Sequence, residues 1–157
     1  MKIRRHCESD YHAIAELRWL LKTDDTLMHS DQDKQDFIDR YVMHLQDRDS
    51  DTRTVHWLVG EGDSVAGVMT IRIVEKELSP GRSGGCWGYL TNCVVVPEMR
   101  NRGLGTKLLQ TIKSWATAGD LELLIVWPSE ASYRFYRRAG FEGRDDPLQL
   151  VLNPDDD

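Results

Sequence analysis

Apolar residues in the first fifty positions recur at the spacing of helices rather than of strands. After a short strand candidate in the N-terminal MKIRR, two segments carry apolar residues three or four positions apart, which is typical of amphipathic helices. Ser9 or Asp10 would cap the first helix, and Ser30 or Asp31 would cap the second. The two apolar faces consist of Ile14, Leu17 and Leu21 and of Phe37, Tyr41 and Leu45. This pattern predicts a strand followed by two helices.

The spacing changes to a period of two after residue 53, which indicates strands. The segment TVHWLVG alternates apolar and polar residues, so we expect it to be half-buried. Turn residues at 60–64 and an apolar run at 65–74 then predict a hairpin. The mostly apolar segment at 86–96 predicts a long central strand that is buried on both faces. The alternating residues are Val55, Trp57 and Val59 against Thr54 and His56.

Helices and strands alternate in the second half of the chain. Residues 103–118 form one apolar stripe at helical spacing, and LELLIVW at 121–127 predicts another buried strand. Residues 129–139 predict a short helix, which Gly140 would end in the left-handed conformation. Alternating leucines at 148–152 predict a last strand. The stripe contains Leu104, Leu108, Ile112, Trp115 and Ala116.

This order of elements predicts an α/β fold of mixed α+β type. We expect one domain over residues 1–157, with a central mixed but mostly antiparallel sheet flanked by about four helices. The acidic residues at 153–157 would form a disordered tail.

Composition narrows the classes of function. The net charge of −6 argues against a nucleic-acid binder, which needs a basic face, and it mildly favours a cationic small substrate. No apolar run approaches the roughly 18 residues that span a bilayer, and the N-terminus has no apolar signal segment. We therefore expect a cytoplasmic protein that binds neither membranes nor nucleic acid.

Cysteine and histidine positions give no sign of a metal site. The three cysteines lack the C-x-x-C spacing of a zinc site, and no two of the five histidines are four residues apart. We expect neither a disulfide framework nor a bound metal. The residues concerned are Cys7, Cys86 and Cys93 and His6, His12, His29, His44 and His56.

The segment VVVPEMRNRGLGTKLLQ combines features of an anion-binding turn. Gly103 and Gly105 allow close approach to the backbone where a helix begins, and the first N–H groups of a helix lack internal partners. Arg100, Arg102 and Lys107 add positive charge at the same turn. The spacing fits neither a Walker loop nor a dinucleotide fingerprint. Alternatively, the glycines only shape a tight turn and the arginines are solvated.

Two motifs resemble those of the GCN5-related N-acetyltransferases (GNAT). Arg100, Gly103 and Gly105 match that family's first motif, in which a strand is followed by arginine or glutamine, two residues, glycine, one residue, and glycine or alanine. About thirty residues later, SEASYRFYRRAGF is similar to the second motif, with Phe135-Tyr136 followed by a Gly-Phe pair. The order of predicted elements is also similar to that of the family.

The resemblance implies that acetyl-CoA is the co-substrate. The strands at 86–96 and 121–127 would be the parallel pair that splays apart to form the acyl-CoA cleft. The backbone around 93–96 would pair with pantetheine, and N–H groups at 102–107 would hold the pyrophosphate. The expected cofactor-binding residues are Cys93, Val94, Val95, Val96, Arg100, Arg102, Gly103, Leu104, Gly105, Thr106, Lys107, Ser129, Ser132 and Phe135.

By the same resemblance, Tyr136 lies near the sulfur and acts as general acid. A phenol suits this role because its ordinary pKa of about 10 keeps it protonated at neutral pH. From spacing alone, without the resemblance, Tyr136 is predicted to be a core aromatic. Ser129 and Ser132 stand where many relatives have asparagine and alanine. Ser129 is a candidate helix N-cap, although its hydroxyl could also bind the pantetheine amide.

No base is evident from the sequence. Some relatives have a glutamate on the central strand, but this chain has Thr91 and Asn92 there. Asn92 could orient a water molecule, and Glu75 or Glu77 at the end of the preceding strand could accept the proton. Cys93 could carry an acyl group, although a thiol in a buried strand is usually packing.

The acceptor site would form from the early helices, as in related folds. Trp19 and Tyr41 are candidates for its walls, and Asp24 and Asp25 would either attract a cationic acceptor or lie in a solvated loop. We expect transfer of an acetyl group to the amine of a small-molecule or amino acid-like acceptor. The alternatives are acetylation of a protein N-terminus or lysine, and a non-catalytic acyl-CoA-binding sensor. The resemblance also suggests a homodimer.

Overall fold

A computed structural model describes most of the chain. The described residues are 1–23, 29–62, 64–78, 80 and 85–143. They fall into two compact units that divide after Trp127. The single domain expected over the whole chain stays a prediction. Asp24, Asp25, the last predicted strand at 148–152 and the tail at 153–157 lie outside the described residues.

The first unit contains a five-stranded sheet whose spatial order follows the chain. Neighbouring strands are antiparallel except for the last pair, which is parallel. The mixed, mostly antiparallel sheet predicted from the sequence is thereby confirmed. The strands are β1 (Lys2–Arg5), β2 (Thr54–Glu61), β3 (Ser64–Glu75), β4 (Cys86–Val95) and β5 (Leu121–Val126).

Three helices belong to the first unit, and their ends follow the predicted caps. Helix α1 spans Tyr11–Lys22 after a 3-10 turn whose last residue, Asp10, is the N-cap. Helix α2 spans Asp31–Gln46, and the Ser30 hydroxyl accepts a hydrogen bond from the Asp33 N–H. Helix α3 spans Leu104–Ala118. The predicted cap of α2 is confirmed, whereas Asp10 is at the N-cap position of α1 without a capping hydrogen bond from its side chain.

The core of this unit lies on both faces of the sheet. Helices α1 and α2 cover one face, where Ile14 and Leu17 pack with Leu58, Val68 and Val94. Helix α3 covers the other face with the predicted stripe, of which Trp115 alone is not fully buried. Burial of these apolar side chains, at about 25 cal/mol per Å², supplies the main force that holds the layers together.

Three burial predictions need correction. Strand β4 buries Leu90, Asn92 and Val94 but only half-buries the residues between them, so it is not buried on both faces along its whole length. In β5 the exposed fraction of Leu123 is 46%. The reason is that β5 has a neighbouring strand on one side only within the described residues. Conversely, His56 on β2 is buried, because α1 and α2 cover the face that we expected to be polar and open.

The second unit begins at Pro128 and is described to residue 143. Ser129 is the N-cap of a 3-10 turn, Glu130–Ser132, which leads into helix α4 at Tyr133–Arg138. The helix is thus shorter than predicted, because its first turn is a 3-10 turn. Gly140 follows with φ of 90°, as predicted for the residue that ends the helix.

Candidate active site

Strand β5 pairs with only the first part of β4. Their pairing runs from Cys86 opposite Leu121 to Leu90 opposite Val126, and β4 then continues to Val95. Beyond Leu90, β4 pairs with β3 alone among the described residues. The predicted parallel pair is therefore present, and its pairing ends where β5 ends, so the splay stays a prediction. The end of this pairing leaves one edge of β4 without a neighbouring strand over residues 91–95.

A β-bulge lies just beyond the point on β4 where pairing with β5 ends. Val68 of β3 is opposite Val94, whereas Thr70 is opposite Thr91, so β4 contains one extra residue. Asn92 has a positive φ of 49°, which asparagine tolerates better than most residues. A bulge of this kind redirects a side chain and is common beside active sites.

The Asn92 side chain is buried without a hydrogen-bond partner. Its exposed fraction is 5%, and neither amide atom, Nδ2 or Oδ1, has a partner within the described part of the chain. A buried polar group left unpaired costs about 1–3 kcal/mol. Because the protein maintains this cost, Asn92 is a candidate for ligand contact.

The turn that follows β4 presents free backbone donors. Asn101 and Gly103 both have positive φ, of 60° and 76°, and Gly103 is the N-cap of α3. The first amide bonded within the helix is that of Lys107, which donates to the Gly103 carbonyl. Among the described residues no hydrogen bond involves the N–H groups at 103–106. A Cβ added at Gly103 would meet no atom within 4 Å, so the space beside this turn is open.

The predicted cofactor residues of the first unit form one continuous stretch. The edge of β4 at 93–96 leads directly into the turn at 100–107. Arg102, Thr106 and Lys107 are exposed, whereas the side chains of Val94 and Leu104 are buried in the core. Those two residues can therefore contact a ligand through their backbones only.

Arg100 and Cys93 have local partners. The Arg100 Nε donates to the Val95 carbonyl at 3.0 Å, so this side chain links the turn to the end of β4. The Cys93 Sγ is half-buried and donates to the Thr91 carbonyl at 3.4 Å.

A cavity of about 290 Å³ opens over the face of the sheet that α1 and α2 cover. Asn92 lines this cavity and also lies just beyond the point on β4 where pairing with β5 ends. The strand register brings together six polar side chains as its floor. These are Thr54 and His56 on β2, Thr70 and Arg72 on β3, and Tyr89 and Thr91 on β4.

The cavity walls come from the two helices and the segment after them. Tyr11 and Asp49 contact each other through a hydrogen bond from the phenol to the carboxylate. Burial, followed by this bond, raises the pKa of Tyr11. Besides His6 and Leu45, the wall residues are Tyr11 and Arg18 from α1, Tyr41 and His44 from α2, and Arg48 and Asp49 after it.

Two neighbouring histidines in the cavity are held in the neutral form. The His56 Nδ1 lies 2.8 Å from the Thr70 hydroxyl, and burial, followed by the charges of His6 and Arg72, lowers the His56 pKa to about 4. Burial also lowers the pKa of His6. The rings of the two histidines meet edge to face, and the His6 Nδ1 is buried without a partner among the described residues. Both imidazoles can therefore act as uncharged hydrogen-bonding groups at neutral pH.

Sequence reasoning missed these histidines because they are fifty residues apart. Pairing of β1 with β2 joins them, and the His6 N–H donates to the His56 carbonyl at 3.1 Å. One signal was available in the sequence. Polar residues recur with period two on three consecutive strands, and this indicates a polar patch on one face of the sheet.

Three other residues named in the sequence analysis do not line the cavity: Glu75, Glu77 and Trp19. Glu75 is opposite Cys86, six residues along β4 from Asn92, which is roughly 20 Å for a strand. Glu75 and Glu77 are exposed and line a neighbouring depression, which shares Arg48, Thr54 and Arg72 with the cavity. A role of either glutamate as the base stays a prediction. Trp19 packs against His29 and Phe37, and of the two aromatic wall candidates Tyr41 alone lines the cavity.

The remaining predicted residues belong to the second unit. Tyr136 is 5% exposed and packs edge to face with Phe135 and Phe141. The Ser129 hydroxyl donates to the Ser132 hydroxyl, which in turn donates to the Ser129 carbonyl, both at 3.0 Å. Their predicted roles toward the cofactor therefore stay predictions.

Neither a membrane segment nor a metal cluster is found within the described residues. None of their helices has the length and apolar character that a bilayer crossing requires. In the same part of the chain, no group of three or more His, Cys, Asp or Glu side chains is arranged so that it could hold a metal ion.

Comparison with known proteins identifies the class. The model of the acetyltransferase (GNAT) family matches residues 12–141. The chain therefore belongs to the GNAT family and is an acyltransferase. A search of curated protein sequences finds no match.

Solved structures agree on the fold. One is a predicted acetyltransferase from Clostridium acetobutylicum with acetyl-CoA, at a TM-score of 0.77 and 18% identity over 96% of each chain. Glucosamine-6-phosphate N-acetyltransferase from Arabidopsis thaliana has a TM-score of 0.71 and 20% identity over 97% of this chain and 98% of its own. A Trypanosoma brucei acetyltransferase has a TM-score of 0.72 and 22% identity over 96% of this chain and 99% of its own.

Proposed function

We propose that this chain is an acetyl-CoA-dependent N-acetyltransferase. It transfers the acetyl group to the amine of a small-molecule or amino acid-like acceptor by direct attack in a ternary complex. The observation that carries this proposal is the position of Asn92, which lies both in the polar cavity and at the start of the open edge of β4. A nucleophile in the cavity and a thioester along β4 would meet at this residue.

The residues present fit acetyl-CoA. The unpaired N–H groups at 103–106, with Arg102 and Lys107 beside them, would hold the pyrophosphate, and the open space at Gly103 admits it. The backbone at 93–96 would pair with the pantetheine arm. Ser129, Ser132 and Phe135 would contact the same arm, as the family resemblance implies. When bound, acetyl-CoA supplies a thioester whose carbonyl carbon can accept an amine. The acetyl-CoA in the Clostridium structure supports this assignment.

The side chains have separate tasks in the reaction. An acceptor amine with a pKa near 10 must lose a proton before it attacks. Asn92 would orient the acceptor nitrogen or the water that takes this proton, using the amide atoms that lack partners. Tyr136 would donate its phenolic proton to the leaving sulfur. Arg100, bonded to the Val95 carbonyl, would fix the turn relative to the strand.

The size of the cavity favours a small acceptor. A volume of about 290 Å³ holds about ten water molecules at liquid density. This corresponds to a small metabolite and lies at the lower end of the range for ligand pockets.

A thiol-release assay over a panel of small amines tests the proposal. We expect at least one amine to release CoA thiol with an equal amount of acetylated product, measured by mass spectrometry. CoA binding without thiol release for every amine would contradict the proposal, and release with lysine peptides alone would favour a protein acceptor.

A cytoplasmic location, expected from the composition, and a homodimer, expected from the family resemblance, are further parts of this proposal. Sedimentation equilibrium of the purified chain tests the second: a single species of twice the chain mass is expected, and a monomer contradicts it.

A further inference from the structure

We propose that the cavity binds its acceptor through an anionic group, so that the substrate is an amine that also carries a carboxylate or a phosphate. This inference rests on the proposed function, which makes the cavity the acceptor site. It extends that function by giving the acceptor a charge and an approximate size.

The cavity lining carries more positive than negative charge. Arg18, Arg48 and Arg72 line it, and within the described residues none of their guanidinium groups makes an ion pair or a hydrogen bond. The charge of Arg48 also acts on Asp51, which does not line the cavity. Asp49 is the one carboxylate among the lining residues. It already accepts the Tyr11 hydroxyl and lies 4.0 Å from the His6 Nε2.

Arg72 acts on one side chain together with Arg48 and on another together with Arg18, although the three arginines come from different elements. Burial lowers the pKa of His44, and the charges of Arg48 and Arg72 lower it further. Burial raises the pKa of Tyr41, and Arg18 and Arg72 oppose that rise. Arg72 also acts on His56 from the neighbouring strand. The guanidinium groups therefore face a common space.

This charge is opposite to that of the whole molecule. The chain carries −6, which mildly favoured a cationic substrate, yet the cavity lining has three arginines against one engaged carboxylate. Like charges held close together repel each other unless a ligand or solvent compensates them. In a chain with 26 Asp and Glu residues, a lining with three arginines against one carboxylate favours an anionic ligand. The proposed anionic ligand therefore differs from the expectation from composition.

The strand register gives the approximate size of the acceptor. Arg72 is opposite Tyr89 and Thr70 is opposite Thr91, so two rows of floor residues lie two positions apart on one face. Two strand residues span roughly 7 Å. If the acceptor's amine lies beside Asn92 and its acidic group lies beside Arg72, these two groups of the acceptor are a few bonds apart. Amino acids and amino-sugar phosphates have this form, and arginine binds either acid through paired hydrogen bonds.

Matched acceptors test the inference by kinetics. Each amino acid is compared with its primary amide, and an amino-sugar phosphate is compared with the unphosphorylated amino sugar. We expect kcat/KM to be at least about tenfold higher for one class of anionic acceptor than for its neutral partner, equivalent to about 1.4 kcal/mol. The two sets distinguish carboxylate from phosphate. Equal values within both sets would overturn the inference.

Removing one arginine should abolish this discrimination. Arg72→Gln should raise KM about tenfold or more for the anionic acceptor and leave the neutral one unchanged, since one ion pair is lost. Arg40→Gln is the matched control, because Arg40 lies on α2 but does not line the cavity. A loss of equal size for both acceptors in Arg72→Gln would contradict the role. Should that variant fold poorly, Arg18→Gln on α1 provides the same test.

A binding measurement separates this inference from the proposed function. Inorganic phosphate is titrated into the wild type and Arg72→Gln without acetyl-CoA, with intrinsic fluorescence as the readout and ionic strength held constant. Phosphate binding at the start of α3 is common to both proteins and cancels. Phosphate affinity that depends on Arg72 supports the anion site even if no amine is acetylated, in which case the proposed function alone fails. Identical titrations would overturn the inference.

Discussion

Replacing Gly103 by valine should remove CoA binding without unfolding the protein. Gly103 has φ of 76° at the start of α3, and a Cβ there would point into space free of protein atoms within 4 Å. The added Cβ would therefore meet no part of the protein beyond its chain neighbours. The valine side chain would occupy the approach that we assign to the pyrophosphate.

The expected losses of stability and of CoA affinity in Gly103→Val can both be estimated. A side chain held at positive φ costs about 1–3 kcal/mol, which most domains tolerate. A hydrogen bond from a backbone N–H to a charged phosphate contributes about 1.5–3 kcal/mol. The loss of one such bond raises the dissociation constant for CoA roughly ten- to a hundredfold. Displacement of the whole pyrophosphate would raise it further.

Isothermal titration with CoA and denaturant unfolding are the two measurements. Gly62→Val is the matched control, because Gly62 also has positive φ, 58°, and open space around its Cβ position, but lies in the turn between β2 and β3. Both variants should lose similar stability, and only Gly103→Val should lose CoA affinity. A folded Gly103→Val protein with wild-type affinity would refute the pyrophosphate site.

Two more predictions concern the acid and the buried histidine. Tyr136→Phe should lower kcat by about a hundredfold or more with little change in CoA affinity, since general acid catalysis contributes about 10²–10⁴; wild-type turnover would leave Tyr136 a core aromatic. His56 has its pKa lowered to about 4 in the folded state, so the unfolded chain binds the extra proton between pH 6.5 and 4. Unfolding free energy should therefore fall by about 3 kcal/mol as pH falls through that window. His56→Gln should lose most of this slope and His12→Gln, at an exposed position, should retain it. Parallel pH curves for wild type and His56→Gln would show that His56 is not held neutral.

The fold was largely predictable because its elements have regular periods. The stripe of α3 repeats at helical spacing, and the structure buries it as expected. Ser30 caps α2 as its side chain chemistry predicts. The apolar run of β5 led to a wrong prediction of burial, because composition does not reveal whether a strand has a neighbouring strand on both sides. Leu123 is consequently more exposed than its sequence suggests.

The cavity was less predictable because its residues come from distant parts of the chain. His6 meets His56 through pairing of β1 with β2, and the arginines come from α1, β3 and the segment after α2. The bulge at Asn92 depends on the register between β3 and β4, which no local pattern encodes. The turn at Gly103 was predictable because its glycines, arginines and helix start are contiguous.

A crystal structure with CoA and an acceptor tests the central claim most directly. We predict density for the pyrophosphate against the N–H groups at 103–106 and for pantetheine along β4, with the acceptor nitrogen beside Asn92. Protein side chains capping those N–H groups, or CoA bound elsewhere with the edge of β4 empty, would contradict the account.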